Sequence, residues 1–340
     1  MIRKIYFALF ITTLLAGAAK AQNVDFHLNG MSFFDNREYK DFVARSRTYS
    51  GVRIAADVGF NIDSNNHFIF GANALHEFGG NPFFVRVNPI AYYSYTGKNW
   101  LFNAGAFSRE GLLTDYPRSM LNDTLRYFRP NIEGLLTRFK SKHVTETVWI
   151  DWVSRQTNTD REQFLFGFSG KYQPSLKSPF YIAHYFFLLH DAGATVLLPN
   201  DHIQDNGAAQ VKLGVDLSHR TFLDSLSIEA GGMMSLERTR GLDGFQKPKG
   251  VVANAYLSYK RFALFDEFYK GDGHRILFGD AFYEKSTYNR LDVIYTPFIA
   301  KGLKGQFVFS LHNTPGFSSN QEAFRLIYDI GRKNLVKFKD

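Results

Sequence analysis

The chain predicts an all-β fold, a closed antiparallel transmembrane β-barrel of about 16 strands (14–18 tolerated), with long outer loops and short periplasmic turns. Three observations predict it. In the stretch 51–62, Val52, Ile54, Ala56, Val58, Phe60 and Ile62 fall on one face of an extended strand, and Arg53, Ala55, Asp57, Gly59 and Asn61 fall on the other. The alternation runs for about a dozen residues, near the ~9–11 that a tilted strand needs to cross a bilayer and longer than a soluble sandwich requires. Aromatic residues make up 16% of the chain, with 35 Phe and 18 Tyr but only 10 Pro, which suits a lipid-facing sheet with aromatic belts. The third observation is that connection lengths alternate along the chain.

The N-terminus sets the compartment. Arg3 and Lys4 precede an apolar run from Ile5 to Ala19, and Ala19-Lys20-Ala21 places small residues where a signal peptidase reads them. Residues 1–21 are therefore expected to be a cleaved signal peptide. Residues 22–332 are expected to form the barrel, and 333–340 a short periplasmic tail, unless the last strand runs further. No later run is apolar and long enough for a membrane helix. Cysteine is absent, which removes disulfides, thiolate metal sites and a lipid-modified cysteine, and leaves stability to the hydrogen-bonded sheet. The 40 basic and 32 acidic residues give +8, a modest excess that bears on anionic solutes and lipopolysaccharide phosphates rather than on fold. An exported chain makes nucleic acid an unlikely partner.

The candidate strands, in order, are 24–34, 51–62, 67–78, 83–95, 100–109, 131–140, 143–155, 163–172, 180–190, 208–218, 226–237, 250–260, 261–269, 290–298, 305–313 and 322–332. Phe164, Phe166 and Phe168 oppose Gln163, Ser169 and Lys171, and Val211, Leu213 and Val215 oppose Lys212, Gly214 and Asp216. In 180–190 the apolar face reads Tyr181, Ala183, Tyr185, Phe187 and Leu189, opposite His184 and His190. Connections after odd-numbered strands include every long one (35–50, 110–130, 191–206, 238–249, 270–288), whereas those after even-numbered strands are short, such as 63–66 and 96–99. A sandwich has no reason to sort its loops by parity. In hydrocarbon an unpaired sheet edge costs several kcal/mol per group, so the sheet must close on itself.

Over residues 22–340 these features together resemble the porin-like outer-membrane β-barrels of Gram-negative bacteria. Such barrels usually end on an aromatic residue, whereas this chain ends Phe338-Lys339-Asp340. Asp123-Thr124-Leu125 and Asp224-Ser225-Leu226 resemble the O-glycosylation signal of Bacteroidota. The resemblance implies a passive channel for small polar or anionic solutes. It also implies outer-membrane lipid and lipopolysaccharide as surroundings, with other envelope proteins or a homo-oligomer as further partners.

Strand alternation places Arg53, Arg86, Arg109, Arg155, Lys171, Lys212, Arg290 and Arg325 on the wet face, with Asp57, Asp151, Asp216, Glu229, Glu237, Asp292 and Asp329. Such charges can pair within the wall or form the rings that set selectivity in a pore. The third outer loop of general porins folds inward, and by that likeness Asp115, Arg118, Asp123, Arg126 and Arg129 face the basic wall at Arg53 and Arg86. The expected lining and constriction is Arg53, Asp57, Arg86, Asp115, Arg118, Asp123, Arg126, Lys212, Asp216, Arg290 and Arg325. A plugged barrel serving secretion, assembly or glycan uptake is the alternative.

Catalysis is the rival class. Outer-membrane lipases set Ser and His on one strand face, as Ser310 and His312 are here, and outer-membrane proteases use Asp and His at the rim, where His190-Asp191, Asp201-His202 and Asp272-x-His274 lie. The order Ser-x-His reverses that of the lipases, and no enzyme is expected. Asp201, Asp205 and Asn206 lack the spacing of a calcium loop, so no metal or cofactor is expected either.

Overall fold

The alternating runs become strands that share one closed sheet. The computed structural model describes residues 22–196 and 201–337; the expected signal peptide and residues 338–340 lie outside them. The strands are β1 (Asn23–Glu38), β2 (Arg47–Asn61), β3 (Asn66–Glu77), β4 (Arg86–Thr96), β5 (Trp100–Ser108), β6 (Asn131–Lys140), β7 (Val144–Ser154), β8 (Glu162–Tyr172), β9 (Phe180–Gly193), β10 (Gln204–Asp216), β11 (Ser225–Thr239), β12 (Lys249–Tyr259), β13 (Phe262–Gly271), β14 (Thr287–Ala300), β15 (Leu303–Thr314), β16 (Phe317–Asp329) and β17 (Lys333–Lys337). From β1 to β16 each strand pairs antiparallel with its sequence neighbour, and β1 closes the ring by pairing with β2 on one side and with β16 on the other. The short β17 pairs with Asn23–Phe26 of β1, directly below the β16 register. It continues the last strand past a bend at 330–332, so this stretch belongs to the sheet and not to a free tail.

Side-chain alternation sorts lipid from lumen. Leu213 and Ile228 are 66% and 54% exposed on the outside, while Lys212 and Glu229, one residue away, point inward as an ion pair. Strand β9 is turned over relative to the sequence reading. Tyr181, Ala183, Tyr185, Phe187 and Leu189 are buried inside the barrel, and Phe180, Ile182 and Leu188 face outward. Both faces of this strand are apolar, so alternation alone could not choose between them.

The outer connections hold most of the irregular chain, although the last is a two-residue turn at 315–316 built on Gly316 with φ 84°. Two of them enter the lumen. The connection 109–130 carries a short helix α1 (Leu125–Phe128). Its Leu113, Tyr116, Met120, Leu121 and Leu125 pack on inward residues of the wall, among them Leu136, Trp149, Leu165 and Phe187. Trp149 Nε1 donates to the Tyr116 hydroxyl at 2.9 Å, which in turn donates to the Phe186 carbonyl at 3.0 Å. The connection 272–286 lies beside it, tied by Asn122 N–H to the Phe278 carbonyl and Asp280 N–H to the Arg118 carbonyl, both 2.8 Å. Phe282 then stacks on Tyr288 of β14 with ring centroids 5.1 Å apart. Met120 and Trp149 are 0% and 1% exposed, so this part of the lumen is packed like a protein core and not filled with water.

Gly105 in β5 has φ 124°, and a Cβ there would lie 2.2 Å from the Ala91 carbonyl oxygen. Gly105→Ala is therefore expected to destabilise the barrel by about 1–3 kcal/mol, read as a lower temperature for loss of the folded band in heat-modifiability electrophoresis.

Candidate functional site

The inward loop leaves a chamber on its periplasmic side, about 940 Å³ in volume. Strand alternation brings Arg53, Asp57 and Lys212 to its wall, and the loop adds Asp115, Arg118, Asp123 and Arg126. Each of these charges is engaged. Arg332 Nη2 donates to Asp57 at 2.8 Å, and His27 sits between Asp57 and Asp329 at 3.3 and 2.9 Å. Lys212 pairs with Glu229 and lies 5.2 Å from the centre of the Tyr185 ring. Arg126 pairs with Glu110 at 3.0 Å. Burial raises the Asp115 carboxyl above its ordinary value, and Ser169 Oγ donates to it at 3.4 Å.

At the top of the chamber is a cluster that joins the loop to β14. Arg290 donates to Asp292 at 2.7 Å and Asp123 at 3.2 Å, while Arg118 reaches Asp292 at 2.7 Å and Asp123 at 3.3 Å. Burial opposes ionisation of Asp123, but Arg118, Arg290 and Arg325 outweigh it and hold this carboxyl well below its usual range.

Arg118 and Asp123 thus meet Asp292 and Arg290 of β14, while Asp115 meets Ser169 of β8 and Arg126 pairs with Glu110 of its own loop, and not with the basic wall at Arg53 and Arg86. Those two arginines instead donate to loop carbonyls, Arg53 to Arg126 at 2.5 Å and Arg86 to Phe128 at 2.7 Å. Arg325 donates to the Tyr127 hydroxyl at 3.1 Å. Asp216 sits apart at the periplasmic end of β10, accepting from Ser218 N–H at 3.0 Å. His27, Asn254, Glu267 and Arg332 also face the chamber but escaped the sequence reading. The first three follow from inward parity, whereas Arg332 lies in the bend between β16 and β17, where alternation is lost.

The histidines fall into separate settings. His190 stacks on Phe164 with ring centroids 4.4 Å apart, on the outer face of the wall. Ser310 and His312 share a face without bonding each other. His312 contacts Tyr288 at 2.8 Å and Gln321 at 3.2 Å, and Ser310 accepts from Arg290 at 3.4 Å. Among the described residues, one hydrogen bond joins a serine hydroxyl to a histidine ring. It runs between Ser235 Oγ on β11 and His274 Nδ1 in the connection 272–286, at 2.7 Å. Glu237 Oε1 accepts from the same hydroxyl at 2.5 Å, and burial pushes His274 down to about 4, so its ring is neutral near pH 7. Asp201 pairs with Arg161, and Asp205 with Arg238 and Arg240 at 2.5 and 2.7 Å, which commits both acids to ion pairs. Thr124 lies in the inward loop with its hydroxyl on Asn122.

Residues 16–333 match the family described as lipid A 3'-O-deacylase-type. The chain belongs to that family. The expectation of no enzyme is overturned by this match, because the family is one of acyl-ester hydrolases by its description. As a solved fold, this deacylase-type chain is similar to outer-membrane porins. OpdL of Pseudomonas aeruginosa matches at 12% identity, covering 92% of this chain and 99% of that one, with a TM-score of 0.56. A loop L8 deletion mutant of OmpT from Vibrio cholerae matches at 10% identity over 90% and 98% of the two chains, with a TM-score of 0.56. A BenF-like porin from Pseudomonas fluorescens Pf-5 matches at 8% identity over 93% and 100%, with a TM-score of 0.55. No curated protein sequence matches the chain. At these identities the likeness concerns the fold, and it agrees with the porin-like barrel the sequence predicts.

Proposed function

We propose that the protein is an outer-membrane hydrolase that cleaves an acyl ester of a lipid A-type glycolipid. Membership of the deacylase-type family over 16–333 carries this reading. The outer-membrane setting follows from the expected signal peptide and the apolar outer face of the sheet. Within the chain, Ser235 and His274 are the pair to test, since their 2.7 Å separation meets the first requirement of a nucleophile and its base. In such a reaction the Ser235 hydroxyl turns its proton from Glu237 to His274 Nδ1, Oγ attacks the ester carbonyl as His274 takes that proton and returns it to the departing sugar oxygen, and water then releases the fatty acid from the acyl-serine. Both side chains are 1% exposed, so substrate access requires the connection 272–286 to shift.

Incubation of the refolded barrel with lipid A, followed by mass spectrometry, is expected to show release of an ester-linked fatty acid. Ser235→Ala and His274→Gln are each expected to slow it by about 10²–10⁴-fold. Because the base must be neutral, activity should hold as pH falls from 7 to 5 and drop as pH passes through about 4. Release that is undiminished in both variants would remove this pair from the mechanism, and no release by the parent barrel would overturn the hydrolase reading.

A second reading is passage of small polar or anionic solutes through the lumen, favoured by the 940 Å³ charged chamber beneath the loop. It requires the connection 109–130 to leave its packed position, and liposome swelling with sugars and organic anions tests it.

A further inference from the structure

The barrel wall is not hydrogen-bonded along its full height. Pairing between β4 and β5 ends where Ala91 faces Ala106, so residues 86–90 are bonded to β3 alone. On the other flank, pairing between β6 and β7 begins where Gly134 faces Asp151, which leaves 131–133 without a β7 partner and 152–154 bonded only to β8. The outer tip of the β5–β6 hairpin has left the wall on both sides. The sequence builds this departure: Gly105 takes a φ of 124° just before the ladder ends, and Pro89 brings no N–H to the β4 edge.

Side chains bridge the gap where the ladder is missing. Asn131 Nδ2 donates to the Pro89 carbonyl at 2.9 Å, and Glu133 N–H donates to Asp151 Oδ1 at 2.9 Å. Between these bridges lies a cavity of about 300 Å³ whose charged lining is Arg86, Arg129 and Glu133. Two buried polar atoms there have no partner, Arg129 Nε and Asn131 Oδ1, and Asn131 is only 5% exposed. Trp152 and Phe128 flank the cavity with rings. An open sheet edge at membrane depth is costly unless something polar satisfies it, and the excess positive charge selects an anion.

We propose that this gap holds the phosphorylated headgroup of an outer-leaflet lipid. Arg86 and Arg129 donate to the phosphate, Asn131 Oδ1 accepts from a headgroup hydroxyl or amide, and the acyl chains stay in the membrane beside Trp152. The site lies at β4–β7 whereas Ser235 is on β11, so the lipid held here is a second one beside the barrel; the proposal goes beyond the hydrolase reading and does not rest on it.

The test uses the refolded barrel in phosphatidylcholine nanodiscs doped with monophosphoryl lipid A, with retained lipid counted by native mass spectrometry after exchange into detergent. The parent is expected to retain monophosphoryl lipid A over phosphatidylcholine. The paired change Arg86→Gln with Arg129→Gln should cut retention about tenfold or more, and Lys247→Gln, exposed in the outer connection between β11 and β12, should leave it unchanged. Glu133→Gln removes the acid that lines the cavity and should raise retention, which keeps the proposal testable if the paired variant fails to fold. Equal retention by the parent and the paired variant, or no rise with Glu133→Gln, overturns the proposal. Complete competition by inorganic phosphate also overturns it, because the site would then take a free anion and not a lipid. Retention without fatty-acid release would sink the hydrolase reading alone, and release without retention would sink this one alone.

Discussion

Deleting residues 111–123 from the connection between β5 and β6 is expected to raise single-channel conductance in planar bilayers about tenfold or more over the parent barrel. A barrel of this strand number is wide enough for an aqueous lumen, and porins of about 16–18 strands have one. Here Met120, Leu121 and Tyr116 occupy that space and bury Trp149, Leu165 and Phe187 behind them. Each such side chain stabilises the packed state by about 1.5–3 kcal/mol, so the closed arrangement dominates in the parent. The parent should insert and conduct weakly, whereas the deletion joins the periplasmic chamber to the outer rim. A deleted barrel that still shows heat-modifiable folding but conducts no better than the parent would mean that the connection 272–286 closes the lumen by itself.

Much of this fold is legible in the sequence because a transmembrane strand is a local signal. Asp57 and Lys212 point inward as alternation requires, each between apolar neighbours that face outward, and Arg290 points inward beside Leu291. All of the candidate strands recur in the sheet, including 261–269, whose pattern is poor because Phe262, Leu264 and Phe268 face lipid while Phe265 and Tyr269 fill the lumen. Strand β9 fails for a related reason. A plugged lumen is as apolar as the membrane at that height, so Tyr185 and Phe187 carry no mark of which side they face.

The site is less legible, since its members come from distant segments. Nothing near Ser235 announces His274, and nothing near Arg86 announces Arg129. The gap at β4 left only two local traces, Pro89 and Gly105, and either is ordinary alone. The enzyme class comes from the family match over residues 16–333 and not from a motif.

Arg290→Ala should be the most destabilising single substitution in the lumen, at about 3–5 kcal/mol in urea-driven unfolding from lipid vesicles. The magnitude comes from what remains. Asp292 is 1% exposed and Asp123 lies within the loop, and without Arg290 the pair would share Arg118 alone. Asp280, whose carboxyl burial already raises, stands 3.8 Å from the same guanidinium and would lose it as well. An uncompensated buried carboxylate costs more than the intact pair contributes, so the second substitution Asp292→Asn in the Arg290→Ala background should restore a good part of the loss. The pH dependence has a defined sign. Asp123 is held below its unfolded value, so its contribution is complete above about pH 4 and is lost as pH falls through the folded value. Acidification below pH 4 should therefore loosen the loop in the parent, with tryptophan fluorescence of Trp149 as the readout, and should change the Arg290→Ala barrel less. Equal acid sensitivity in the two proteins would place the loop's anchor in its apolar contacts and not in this charge cluster.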